Sequence, residues 1–416
     1  MVGKAQFVTA LAVIAGWALA PVAHASTTSV FYDAAGNLAA DPQPFLSLGS
    51  GTRNTAVGQR MMHDLTTGID NLAIGNAALQ NVTTGDDNVA YGSGAAFNMS
   101  TANNITAIGT DAAANTTADG TTAVGSLAMI NNTSGSGNTA VGSQALTFNL
   151  TGFQDSALGA QALFKNLGNY NSGFGYQALT NNTNGASNTA LGRQSMLANT
   201  TGSQNTATGV NSLQTNTTGA YNVANGYQAL VFNETGSRNA AMGGNALLSN
   251  TAGSDNVGVG DQALFSNTGG LRNIAVGTNS LHAVTGADRN TALGVSALNR
   301  NRGARNIAIG DNAGLKLTNG TDNIDIGHQG NAGETKTIRI GTQGTQTAAY
   351  VAGVYNRAIS GTTKAVIVNA QGRLGTANVA AAKKVSSLRE RVRRQDRALA
   401  RQQREIDALK RAIAGD

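Results

Sequence analysis

Few residues in this chain are of types that do chemistry, and their spacing does not gather them. Outside the first 25 residues the only histidines are His63, His282 and His328, more than forty residues apart from one another and at different places in the local pattern. No Ser-His-Asp order and no pair of carboxylates suggests hydrolysis. The 416 residues contain no cysteine, and nothing has the ligand spacing of a metal site. Calcium-binding nonapeptide repeats need Asp in a fixed register, whereas Asp111, Asp261 and Asp311 recur irregularly. Glycine-rich stretches such as Gly135-Ser136-Gly137 have no following Lys-Ser/Thr, which a phosphate loop requires. Glycosylation sequons such as Asn199-Thr200-Thr201 arise as by-products of a recurring N-T-T-G turn. The expectation is a protein without catalytic residues, bound metal or cofactor.

What recurs instead is a sentence: NTAVGSQALTFNLTG at 138–152, NTALGRQSMLANTTG at 188–202 and NTATGVNSLQTNTTG at 205–219. The glycine that ends N-T-A-x-G marks each copy. These anchors are Gly58, Gly75, Gly92, Gly109, Gly125, Gly142, Gly159, Gly175, Gly192, Gly209, Gly226, Gly243, Gly260, Gly277, Gly294, Gly310, Gly327 and Gly341. Thirteen of the seventeen intervals are 17 residues, three are 16 and the last is 14. So regular a register implies a solenoid of stacked coils.

Each column of the repeat has a physical reading. Four before the anchor, Asn stands in fourteen of eighteen copies, and stacked coils would bring these amides into a bonded ladder. Apolar or β-branched residues at minus three and minus one flank Ala at minus two, the alternation of a short strand. The anchor Gly allows a bend closed to other residues. A Leu or Met follows at plus four, as in Leu146, Leu163 and Leu179, on what reads as a second short strand. The N-T-T-G stretch is turn chemistry. With strands about 4.8 Å apart, seventeen steps make a rod of roughly 80 Å. Asp325 and Arg339 fall at minus two, and buried unpaired charge is costly. The expectation is therefore that minus one and minus three form the core and that the Ala column faces out, a smooth surface for packing against another solenoid.

The repeats N-T-A-V-G-S-Q-A-L (138–146) and N-I-A-V-G-T-N-S-L (273–281) resemble the head repeats of YadA-like trimeric autotransporter adhesins, over roughly residues 50–345. The resemblance implies a left-handed parallel β-roll, three chains associating side by side, and a ligand held by variable exposed positions. No binding residue of the family carries over to a motif here. Residues 336–376 resemble the region before the C-terminal chaperone domain of tail-fibre-like bacterial proteins. The chain ends KRAIAGD without the amphipathic strands of a membrane β-barrel, so a complete autotransporter of that kind is not expected.

The remaining segments set the domain plan. Residues 1–25 read as a secretory signal peptide: Lys4, an apolar run from Phe7 to Leu19, and the small-x-small site Ala23-His24-Ala25. Residues 26–49 are a lead-in, 50–335 the head repeats, 336–382 a small β neck, and 383–416 a basic coiled coil. Its seam is Val385, Leu388, Val392, Gln395, Leu399, Gln402, Ile406, Leu409 and Ile413, a narrow stripe at 3-4 spacing over four heptads without Gly or Pro. Between 383 and 411 eleven Lys or Arg face four Asp or Glu, a local charge of +7 against +6 for the whole chain. Such a surface could meet anionic lipid or lipopolysaccharide; no sequence-specific nucleic-acid element accompanies it.

The fold class expected is thus an all-β solenoid, a β neck and a C-terminal helical coiled coil, as a homotrimer. The function expected is a non-enzymatic, adhesin-like fibre, exported to the surface, the medium or the periplasm of a bacterium. It would bind a surface, glycan or matrix ligand through corners such as 147–154 and 231–238. A fibre of phage-tail ancestry is the alternative. An ice-binding solenoid is disfavoured because Val223, Ile274 and Ile307 interrupt the hydroxyls of Thr139 and Thr206 in the minus-three column.

Overall fold

A computed structural model describes residues 30–40, 45, 47–351, 366–376 and 379–415, with helix side chains from Ser386 onward. The leader at 1–25 and neck residues 352–365 lie outside the described residues. The chain divides into two compact units, Met1–Ile340 and Gly341–Asp416.

The first unit is a parallel β-solenoid. A short hairpin, β1 (Val30–Tyr32) and β2 (Leu38–Ala40), pairs antiparallel at its start. From β2 onward each strand pairs in parallel with the next, through β3 (Thr55–Gln59) and β4 (Leu72–Asn76) to β19 (Ile324–Ile326) and β20 (Ile338–Ile340). The register is one coil per step: Thr189 opposes Thr206 and Ala190 opposes Ala207. The sheet thus runs past the 50–335 span at both ends.

Two features differ from the reading of one coil. Among the described residues each coil of the repeat contributes a single strand. The segment after the anchor is a run of turns in which residues at plus two and plus four are left-handed, as at Gln144 (φ 59°) and Leu146 (φ 51°). It still bonds coil to coil, Leu146 N–H donating to Ala162 O at 3.0 Å and Gln144 N–H to Ser126 O at 2.9 Å. The second difference is the direction of the strand. The minus-two column is the core: Ala56, Ala73, Ala140, Ala190 and Ala207 are fully buried, while minus three and minus one are half-buried or exposed in strand after strand. The physical reason is space. Where Gly173 replaces Ala at minus two, a Cβ would lie 3.2 Å from Leu163 Cγ. The interior between strand and plus-four Leu therefore holds a methyl and little more.

The charges that argued for the opposite orientation sit at the solenoid's end. Asp325 is fully buried in the Ala column and opposes Arg339 in the register. Arg339 in turn holds Glu334 by donating from Nε and Nη2 at 2.7–3.0 Å. Burial, aided by the nearby Glu334, pushes the Asp325 carboxyl up to about 6.

Asparagine ladders hold the coils. At minus four, Asn188 donates its N–H and Nδ2 to Asn171 Oδ1 at 3.0 and 3.2 Å, and Nδ2 to the corner carbonyl Gly202 O at 2.8 Å. A second ladder, which the sequence reading missed, runs at plus seven: Asn199 Nδ2 donates to Asn182 Oδ1 at 2.6 Å and to the same Gly202 O at 2.9 Å. From Gly58 through Gly310 the anchors lie between φ +120° and +147°, a region open to glycine alone, while Gly327 (+61°) and Gly341 (+75°) end the pattern.

The second unit contains an antiparallel hairpin, β21 (Val366–Val368) with β22 (Leu374–Thr376), and α1 (Val379–Ile413). With no Gly or Pro, and with Lys410 and Arg411 in its last turn opposing the helix dipole, α1 runs 35 residues unbroken.

Candidate functional site

The three histidines remain in separate coils. His63 Nδ1 lies 2.6 Å from Asp64 Oδ1, and His282 stacks on Phe265 with ring centroids 4.9 Å apart. His328 Nδ1 accepts from Gly330 N–H at 2.8 Å and lies 3.7 Å from Asp325 Oδ1. Among the described residues no group of three or more His, Asp or Glu is placed to hold a metal ion. Asn199 of the sequon is fully buried with both amide protons engaged, so the folded coil withholds it from modification.

The strand direction turns the outer sheet face into the largest feature of the head. Its minus-one column exposes Val57, Tyr91, Ile108, Leu158, Leu191, Met242, Leu293, Ile309 and Ile326. Its minus-three column carries hydroxyls without a break from Thr106 through Thr122, Thr139, Ser156, Ser172 and Thr189 to Thr206, then turns apolar at Val223, Ile274 and Ile307, all exposed. The anchors Gly92, Gly142, Gly159, Gly192, Gly209, Gly243, Gly260, Gly277 and Gly294 follow the last strand residue of their coils in the same bend, and Gly58 and Gly75 share that φ one residue before the ends of β3 and β4. The face thus exposes many apolar side chains, interrupted at minus one by Thr208 and Asn225.

The corners differ from coil to coil. At 147–154, Phe148 and Leu150 are exposed, and Phe148 meets Phe164 edge-on at 5.0 Å; Phe153 meets Tyr170 at 5.1 Å. At 231–238, Phe232 is exposed and Arg238 Nε donates to Asp255 Oδ1 at 2.6 Å, one coil on. Arg53 with Asp70 and Arg305 with Asp322 repeat that pairing, and each arginine holds its partner's carboxyl below the usual range through the hydrogen bond.

On α1 the apolar stripe is open. Leu388, Val392, Ile406 and Leu409 are exposed, Leu399 to 69% and Ile413 to 76%, and Gln395 and Gln402 are exposed with them. Val385 lies on the helix backbone. No described helix is long and apolar enough to cross a membrane. No family model matches the chain, and no curated protein matches it.

Proposed function

We propose that this chain is a non-enzymatic fibre of the trimeric-adhesin kind, exported to the cell surface or beyond, whose solenoid head binds a surface ligand. The single observation that carries the reading is the pairing of two uncovered apolar surfaces, the outer sheet face of the head and the stripe of α1. Three copies associating around both would cover the Val, Leu and Ile columns of the head and the Leu388–Ile413 stripe, with Gln395 and Gln402 setting register. The Arg-rich remainder of the helix would then face solvent. The head's corners, which vary while the interior repeats, are left for the ligand.

The solution mass of the chain by light scattering tests this. A threefold mass supports the trimeric fibre. A monomeric mass sinks it. In a second measurement, Leu399→Asp with Ile406→Asp loosens the assembly if the helices clamp it, and leaves the mass unchanged if the sheet faces suffice.

A further inference from the structure

We propose that the corner formed by Arg300, Arg302, Thr318 and Asn319 is a binding site for the sulfate or carboxylate groups of an acidic glycan. Together with Ala283 these residues, from three successive coils, line a cleft of about 320 Å³ on the rod's side.

In most coils the plus-eight position is a Thr, and in many of them its hydroxyl donates to the carbonyl of its counterpart one coil on, as Thr200 to Thr217 O at 2.9 Å and Thr268 to Thr285 O at 3.0 Å, while Ser100, Leu150, Leu167 and Glu234 take the place in other coils. Arg302 takes that position, keeps the backbone link by donating its N–H to Thr318 O at 2.6 Å, and lines the cleft. Arg300 stands two residues earlier on the same wall.

Charge is the second observation. Between Asp288 and Asp311 the chain carries four arginines, Arg289, Arg300, Arg302 and Arg305, of which Arg305 is held by Asp322. Among the described residues Arg53, Arg238 and Arg305 each meet an aspartate one coil on, and Arg300 and Arg302 do not. One coil on from Arg300, the corresponding position counted from the anchor is Lys316. Like charges in successive coils repel one another. An anion in the cleft offsets the charge of Arg300 and Arg302, and a planar guanidinium can donate to it in two places at once.

The neutral groups favour a sugar as the carrier of the anion. The Thr318 hydroxyl and Asn319 carboxamide both donate and accept, as sugar hydroxyls require. No aromatic ring lines the cleft, so it lacks the stacking platform on which nucleic acid bases are held. The inference names a ligand class for the head and rests on the reading of that head as a binding surface. Its test is separate from the mass measurement, since anion contact at two arginines is read whether or not three chains associate.

The full chain is treated with phenylglyoxal in the presence and absence of dextran sulfate, and arginine modification is read peptide by peptide by mass spectrometry. Arg300 and Arg302 are expected to be protected roughly fivefold or more, Arg193 and Arg238 less than about twofold, and neutral dextran protects none. To separate the head from the basic helix, Arg300→Ala/Arg302→Ala is combined with Arg393→Gln/Arg397→Gln/Arg401→Gln. Against the helix-substituted chain alone, binding to immobilised dextran sulfate should fall about tenfold, with the thermal melting curve unchanged. Equal protection of Arg193, an affinity change under about twofold, or equal protection by single-stranded DNA at matched charge would each overturn the proposal.

Discussion

Asp155 Oδ2 accepts a 2.8 Å hydrogen bond from Asn166 Nδ2, a contact that crosses from one asparagine column to the other. Asp155 occupies the minus-four place of its coil, where most coils have Asn, and has no Nδ2 to pass on. It accepts from Asn171 N–H at 2.7 Å but donates nothing to Asn138 Oδ1 beyond its own backbone N–H at 2.8 Å. The Asn166 amide is drawn across to it, and Asn149 Oδ1, the acceptor that the plus-seven pattern assigns to Asn166, is left buried without a donor.

Burial pushes the Asp155 carboxyl up to about 7, against the opposing pull of its bonds from Asn171 and Asn166. A carboxyl whose folded pKa is raised binds more protons folded than unfolded, so its contribution to stability falls as pH rises from about 4 to about 7 and is flat above. Asp155→Asn restores the missing donors and removes the buried charge. It is expected to raise unfolding free energy at pH 8 by up to something on the order of 4 kcal/mol, with little effect at pH 4. Chemical denaturation of both chains at the two pH values checks this; an equal difference at both would reject it.

Gly142→Ala tests the anchor. At φ +138° an added Cβ would sit 2.6 Å from Gly159 O in the next coil. The strained backbone and the contact together should cost about 3 kcal/mol or more. Hydrogen exchange should show faster opening in the coils of Gly125, Gly142 and Gly159 than in those near Gly260. Uniform protection throughout would contradict the assigned bend.

Strand direction is tested by a neighbouring pair. Ala207 is fully buried and Thr206 is exposed. Ala207→Leu should overpack the interior and cost about 3 kcal/mol, whereas Thr206→Leu should shift stability by less than about 0.5 kcal/mol. The reverse ranking of denaturation midpoints would restore the orientation read from sequence.

Asn199 links three coils through the plus-seven ladder, accepting from Asn216 Nδ2 at 2.8 Å as well as donating to Asn182. Asn199→Ala leaves a buried acceptor and a buried donor unmet, and should cost about 2–4 kcal/mol. Thr201→Ala, which destroys the sequon but leaves this ladder intact, should be close to neutral. If the two substitutions have equal effects on the melting temperature, the ladder is not what the residue serves.

How much was legible follows from how each feature repeats. The minus-four ladder was readable because Asn recurs there copy after copy, and Asn188 does what its column implied. The plus-seven ladder was equally present in Asn199 and Asn216, but those residues sit inside N-T-T-G, where turn chemistry offered a sufficient local explanation. The 3-4 spacing of the Leu388–Ile413 stripe was plain from the letters, and on α1 the stripe is exposed together with nearly every other described side chain of the helix.

Sequence alone determined the coil length, the anchor glycines and the stacking of like on like. A solenoid imposes one geometric requirement on every coil, so that requirement is written many times over. Only the tertiary structure decided which side of the strand is inside. Ala between two Val or Ile residues is compatible with either direction, and Asp325 at minus two pointed the wrong way because a carboxyl can be buried there, opposite Arg339 in the last coil, with its pKa raised by burial. The deciding quantity was the gap between the strand and the plus-four Leu. That distance exists only once the coil has closed on itself, and it admits a methyl group where a larger side chain would not fit.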